Sequence, residues 1–382
     1  MTGSNTTWTC RTLSPSKVKN GPILRQSGTH LNDWRSRVIF VLLLFIRFSR
    51  RLKMQQSTNY KLGAFCMAAC LSISAPQAHA LEGGTSAYLL GSRDSFAGIV
   101  PGAGTYVGMD FITFSGSIAG LSLGGLPIAA DTDVDVNLIK LSFTHVFGST
   151  LWGGTPALNL NIPILDADIG FQAISGPLAG DDISDETSGI GDITITPMVG
   201  WHSGMLHYSA GLSIFVPTGS YSTASVDIPG RSIDALSNGK NIWSIQPVLS
   251  MTHFNPKTGR EFSGATSFLF SENNEATDYQ TAPAFTLEAT AMQHLPSGWA
   301  FGGSGYWYEQ LKDDSGTGAD NTRAALGVDS LRSRAFGLGP IITYSDEMFG
   351  RPVSFKLKYY KEFGVKRRFE SDVLWFNATM TF

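Results

Sequence analysis

The chain has 382 residues, enough for one large domain or two ordinary ones, with 15% charged residues, 42 Gly and a formal net charge of −3. Charge this sparse and this balanced offers no basic face to a nucleic acid. After residue 80 no run of 18 apolar residues exists to form a membrane helix, so the apolar character is spread thinly, as in strands with one face in a core or in lipid.

The N-terminus sets itself apart. "MQQSTNYKLGAFCMAACLSISAPQAHA", Met54 to Ala80, has Lys61, an apolar stretch and then Ala78-His79-Ala80 as a small-residue cleavage site, the three parts of a secretory signal. A signal belongs at a chain start, so Met54 reads as the initiator and residues 1–53 as an upstream extension outside the protein proper. Nine apolar residues at Val38–Ile46 are too few to span as an anchor. A lipoprotein reading at Met67-Ala68-Ala69-Cys70 stays open. Removing residues 1–80 takes 11 of the 28 Lys and Arg but only Asp33 among the acids, leaving 17 basic and 30 acidic residues, a net −13. The three cysteines go as well, and with them any disulfide framework or thiolate metal site. Residues 81–104 are Gly-rich and lack alternation. They read as a luminal or periplasmic segment, and we expect them to fold back as a small plug.

From residue 105 the pattern is period-2. Twelve strands are expected, at 105–116, 134–146, 157–171, 190–201, 205–216, 240–253, 261–270, 281–294, 298–310, 333–344, 352–361 and 371–382. In "LHYSAGLSIFV" Leu206, Tyr208, Ala210, Leu212, Ile214 and Val216 share one face, with His207, Ser209, Gly211 and Ser213 on the other. In "VSFKLKY" Val353, Phe355, Leu357 and Tyr359 oppose Ser354, Lys356 and Lys358. Long polar loops (117–133, 172–189, 217–239, 271–280, 311–332, 362–370) alternate with short turns such as "HSG", "NPKTGR" and "LPSG". A soluble sandwich has no reason to sort its loops this way. A transmembrane antiparallel β-barrel of about 12 strands does, with short turns inside and long loops outside. Residues 105–382 are therefore read as an outer-membrane barrel.

The last strand, "LWFNATMTF", alternates up to the final residue. In a bilayer every backbone group must be paired, so the last strand has to reach the first. Phe382, Met380 and Phe376 then form the outward face and the expected signal for the barrel-assembly machinery. Trp152, Trp201, Trp299 and Tyr344 near the short turns, and Trp243, Trp307, Tyr308, Tyr360 and Trp375 near the long loops, are expected as two interfacial girdles. Pro197, Pro247, Pro283 and Pro340 fall within strands running toward the short turns. Each removes a ladder bond in a sheet without edges, with a bulge as the usual accommodation, and marks a candidate lateral opening.

"SGIGDITITP" (Ser188–Pro197), "GLSIFVPTGSY", "GKNIWSIQPVLSMTHF", "ATSFLFSENNEATDYQ" and the opening "LEGGTSAYLLGSRDSFAGIVPGAG" together resemble the outer-membrane family of meta-pathway phenol-degradation proteins, also called SphA-like transporters. The resemblance covers essentially the whole chain after residue 80. It implies an outer-membrane channel of a Gram-negative bacterium, taking up hydrophobic or aromatic compounds passively.

Candidate lumen residues on the polar faces are His207, Asp192, Glu288, Lys356 and Lys358. His145, His202, His253 and His294 sit at the short-turn ends of four strands, and parity does not aim all four into the lumen. We read them as amphipathic interface residues and not as a metal cluster. The "GIGD" pair lacks the following helix that a phosphate cradle needs. No catalytic residue, metal or cofactor is expected. An outer-membrane lipid-modifying enzyme, or a purely structural barrel, is the alternative. Expected partners are outer-membrane lipid and lipopolysaccharide, the assembly machinery and a small apolar or aromatic solute. Lys366, Arg367 and Arg368 are candidates for lipid phosphates. The acidic outside loops, such as Asp181, Asp182, Asp185 and Glu186, read as solvated.

Overall fold

The computed structural model describes residues 82–128, 130–172 and 180–382. The expected upstream extension (1–53) and expected signal peptide (54–80) lie outside the described residues. The strands are β1 (Gly104–Ile118), β2 (Thr132–Val146), β3 (Thr155–Gln172), β4 in two pieces (Asp182–Ile190 and Ile193–Ser203), β5 (Leu206–Val216), β6 (Ser244–Asn255), β7 (Arg260–Ser271), β8 (Ala284–His294), β9 (Trp299–Gln310), β10 (Arg334–Met348), β11 (Arg351–Lys366) and β12 (Glu370–Thr381). Each pairs antiparallel with its chain neighbours, and β1 pairs with β12 from Tyr106↔Thr381 to Ser117↔Glu370. Phe382 N donates to Thr105 O at 2.7 Å, so the final residue is in the ladder. The ring is closed, the condition under which a sheet can cross a bilayer. Among the described residues no helix is long and apolar enough to cross a membrane. Helix α1 (Thr317–Leu326) lies in the connection between β9 and β10.

Among the described residues, two of the expected long loops, 172–189 and 362–370, are mostly barrel strand. Asp182–Ile190 pairs with Ile164–Gln172, and β11 and β12 are separated by three residues only. Beyond the bilayer a ladder needs no apolar outer face, so "DISDETSGI" carries no hydropathy signal although its backbone is paired.

The outer face is apolar where lipid would lie. On β11 Leu357 and Tyr359 are exposed while Lys358 and Tyr360 are buried inside. Toward the long loops a row of rings, Phe268, Phe285, Trp307, Phe336 and Phe363, runs across β7 to β11 with successive centroids 5.3–6.2 Å apart. At the other end Trp201 stacks on Tyr208 and Trp299 lies 4.8 Å from Tyr344. These are two girdles. Tyr308, Tyr360 and Trp375 do not belong to them: all three are buried in the lumen. Position along a strand says how high a ring sits, and parity decides which side it faces.

Residues 82–103 run down the inside of the ring. Glu82 accepts from Thr277 Oγ1 at 2.7 Å among the long loops. Tyr88 Oη donates to Glu288 on β8 at 2.6 Å, Phe96 N to Glu261 on β7 at 2.6 Å, and Gly98 N to Thr252 on β6 at 3.0 Å. Val100 O meets His202 Nε2 at 3.1 Å at the short-turn end of β4. A Cβ on residue 98 would come within 2.5 Å of the Thr252 backbone nitrogen, so glycine is what lets the segment lie against the wall. Above the mouth, the hairpin Leu121–Leu123/Leu126–Ile128 packs with Ile118, Val134, Ile169, Ile183 and Phe369 into an apolar roof.

Candidate functional site: the luminal cavity

The N-terminal segment occupies one side of the lumen, and a cavity of about 670 Å³ remains on the other. Its wall is the inward face of β11, β12 and β1 to β6, completed by the N-terminal segment. Strand register sorts that wall into rows by height. Nearest the long loops stand Val134 and Ile169, then Val373, Phe114, Val136 and Ala167, then Trp375, Leu138 and Leu165. The next row is Lys356, Asn377, Asp110 and Lys140, paired side by side across β11, β12, β1 and β2. Nearer the short turns come Thr379, Gly108, Ser142 and Asn161, then Thr144 and Asn159. Along β12 and β1 to β3 the order is apolar outside, charged in the middle and polar inside. Lys358 stands in the third row beside Trp375, and the outer level is flanked by Glu362, Arg368 and Ser371 on one side and by Thr187, Asp192 and Asn238 on the other.

The charged level is held by the N-terminal segment. Asp94 takes Lys358 at 2.7 Å on one oxygen and Lys356 on the other. Two ammonium groups share one carboxylate, so one positive charge has no direct counter-charge in that trio. Lys358 is the more enclosed: its Nζ also donates to Gly91 O and lies 3.5 Å from the centre of the Trp375 ring. Trp375 Nε1 donates to Asp110 Oδ1 at 2.6 Å, Asn377 Nδ2 to the same oxygen at 3.0 Å, and Lys140 Nζ lies 3.4 Å from Asp110 Oδ2. Lys140 has no other polar partner among the described residues.

Of the expected lumen residues, Lys356, Lys358 and Asp192 line the cavity. Glu288 is buried against the segment, accepting from Tyr88 Oη and Arg93 N, and does not line it. Asp192 interrupts β4, and its carboxylate accepts from Gly219 N at 3.0 Å and Lys240 N at 2.8 Å, tying the long loop to the wall. His207 faces inward near the short turns, its Nδ1 2.6 Å from His202 Nδ1. The interface reading fails for two histidines. His202 meets Val100 O, and His294 binds buried Glu261 at 2.6 Å and packs on Phe96, so both hold the segment. Ser95 and Ser263 also donate to Glu261. The carboxylate stands at the centre of this group and neither serine reaches the imidazole, which is not the order a hydroxyl nucleophile needs. Asp94, Asp110, Lys140 and Trp375 had no sequence signal beyond a charged or aromatic residue inside a strand or a Gly-rich stretch.

The prolines are accommodated without bulges. Pro283 precedes β8 and is not in a strand. Beside Pro197, Pro247 and Pro340 two pairings are missing on one side, and the register resumes unshifted: Ile195↔Ile214 then Met198↔Gly211, Ile245↔Phe270 then Val248↔Ser267, Leu338↔Lys361 then Ile341↔Lys358. The register shifts among the described residues lie elsewhere, between Arg334 and Phe336 on β10 and between Ile190 and Thr194 where β4 is interrupted. A missing N–H opens the ladder locally while the flanking bonds keep the strands aligned. Only the gap beside Pro197 has both its inward residues, Thr196 and Ser213, in the cavity wall, and their hydroxyls bridge it at 2.9 Å.

A closed antiparallel ring of twelve strands with an apolar outer belt, two aromatic girdles and sorted loops is a transmembrane barrel of the outer-membrane type. The chain belongs to the family described as "Putative MetA-pathway of phenol degradation", whose model matches residues 113–378. In fold it is similar to the COG4313 outer membrane channel from Pseudomonas putida F1, with a TM-score of 0.54 and 14% identity over 77% of this chain and 100% of that one. The transport unit of the autotransporter AIDA-I from Escherichia coli scores 0.41 at 7% identity, over 77% of this chain and 92% of that one. A Pseudomonas aeruginosa FadL homologue scores 0.35 at 8% identity, over 72% and 88%. No curated protein matches the sequence.

Proposed function

We propose that the barrel is a passive outer-membrane channel for small hydrophobic or aromatic compounds. The observation that carries this is the apolar arc of the outer cavity wall on β12 and β1 to β3, formed by Val134, Ile169, Val373, Phe114, Val136 and Leu138, with polar rows beneath it. A sugar-sized polar solute gains nothing in the apolar rows and loses hydration there, whereas an aryl ring is stabilised by about 25 cal/mol for each Å² it buries. The N-terminal segment narrows the lumen and restrains water and ions. The gap beside Pro197 is the candidate exit for an apolar solute into the membrane. We read the chain as a channel and not an enzyme, because the ionisable groups of the lumen are engaged with one another and with the segment. Lipopolysaccharide around the outer loops, the barrel-assembly machinery acting on the strand that ends in Phe382, and export by a signal cleaved after Ala80 complete the proposal.

Liposome swelling on purified protein tests it. Aromatic alcohols and amides are expected to enter faster than sugars of equal size. Rates equal to those of protein-free liposomes for the whole panel would remove the channel reading.

A further inference from the structure

We infer that the cavity is built to take amphipathic anions, an aryl or alkyl chain ending in a carboxylate or a similar acid group. The inference rests on the channel reading and names its substrate class. Neutral apolar solutes need only the three outer rows. They do not explain a row of lysines beneath those rows, where a buried ammonium is costly unless something offsets its desolvation.

The charge count points to an anion. At the middle level and in the row just outside it, Lys140, Lys356 and Lys358 face two carboxylates, Asp94 and Asp110. One cation is in surplus. Lys358 is enclosed by Asp94, Gly91 O and the Trp375 ring, so the surplus belongs to Lys356 and Lys140, which stay partly exposed to the cavity at 22% and 17%. Lys356, Asn377, Asp110 and Lys140 are neighbours in the ladder, so the two lysines stand three strand spacings apart, about 14 Å between backbones. Lys140 Nζ lies 4.8 Å from the centre of the Trp375 ring on β12, the strand next to that of Lys356, which shortens that span. An acid group placed there accepts from Lys140, which has one long ion pair, and from the Asn377 and Lys356 side.

The geometry also fixes orientation. Inward rows repeat about every 7 Å along a strand, so the acid group on the lysine row leaves the outer rows, lined by Trp375, Phe114 and Val136, for the chain. Below the lysines, Ser142, Asn161 and Thr379 offer hydrogen bonds along the inner wall. An anion thus has a polar route inward, separate from the gap beside Pro197.

Isothermal titration calorimetry on the full barrel in nanodiscs at pH 7.5 tests this with 4-phenylbutyrate and its isosteric neutral amide, 4-phenylbutyramide. The acid is expected to bind at least tenfold more tightly than the amide. Lys140→Gln should lower that ratio several-fold, and Asp110→Asn, which adds to the cation surplus, should raise it. Equal affinities, a preference for the amide, or a ratio that neither variant moves would overturn the inference while leaving the apolar channel intact. Binding of neither compound would overturn both. If Lys140→Gln fails to fold, the direction of the Asp110→Asn change decides.

Discussion

Asp94 and Asp314 show two ways of keeping a carboxylate inside this molecule. Asp94 is matched by two lysines, and removing it would strand the enclosed ammonium of Lys358, a loss of the order of 3–5 kcal/mol for a broken buried pair. Asp314, in the loop that carries α1, is matched by no cation. Its oxygens accept from Ala282 N at 2.8 Å, Gln310 Nε2 at 2.7 Å and Tyr279 Oη at 2.8 Å. Burial outweighs these bonds and pushes its pKa up to about 6. The folded group therefore holds its proton above the unfolded range, so the loop is most stable below pH 4. That stability is lost as pH rises toward 6, by about 3 kcal/mol in all. Hydrogen exchange across residues 313–322, corrected for intrinsic rates, should show protection falling up to about a hundredfold from pH 4 to pH 6.5. In Asp314→Asn the same interval should be flat. A wild-type loop with constant protection would refute the assignment.

At the scale of the strands, Pro197 stands apart from Pro247 and Pro340 although all three leave the same mark on the ladder. Its gap borders the cavity, and the others lie behind the N-terminal segment. Pro197→Val restores a donor and should close the gap, lowering uptake of apolar solutes with the heat-modifiable barrel retained. Pro247→Val and Pro340→Val should leave uptake unchanged. Wild-type uptake in Pro197→Val would leave that proline a structural role alone. These gaps were half legible in the sequence. The prolines were visible in alternating strands, but which side of each strand loses its bond, and what lies behind it, depends on register. The strands themselves were legible because lipid demands an apolar residue at every second position. The lumen makes no such demand: on β2 Val134, Val136 and Leu138 face in while Ile139, Leu141 and Phe143 face out, so both faces are apolar and Lys140 has no visible side. The course of residues 82–103 follows no period at all, being set by separate hydrogen bonds and ion pairs to strands β4 to β8 and β11 and to the long loops.

For the whole molecule, closure depends on one seam. Phe382 and Thr105 exchange both backbone bonds, and the β1–β12 ladder continues for twelve residue pairs. Deleting Phe382, or Phe382→Asp, removes the outermost bond or places a charge where lipid should lie. Either change should sharply reduce heat-modifiable barrel in the outer membrane, and normal yield from both would dismiss the role given to that residue. Closure also encloses the N-terminal segment, which continues directly into β1 at Gly104. Occupant and wall are one chain, so the lumen meets its own ligand at an effective concentration of about millimolar that no dilution changes. A solute that needs the segment's place competes with a fixed adversary, and each tenfold rise in the displaced fraction requires about 1.4 kcal/mol of weakened hold. A solute that uses only the open half of the lumen escapes this competition, and its flux then rises with its own concentration alone.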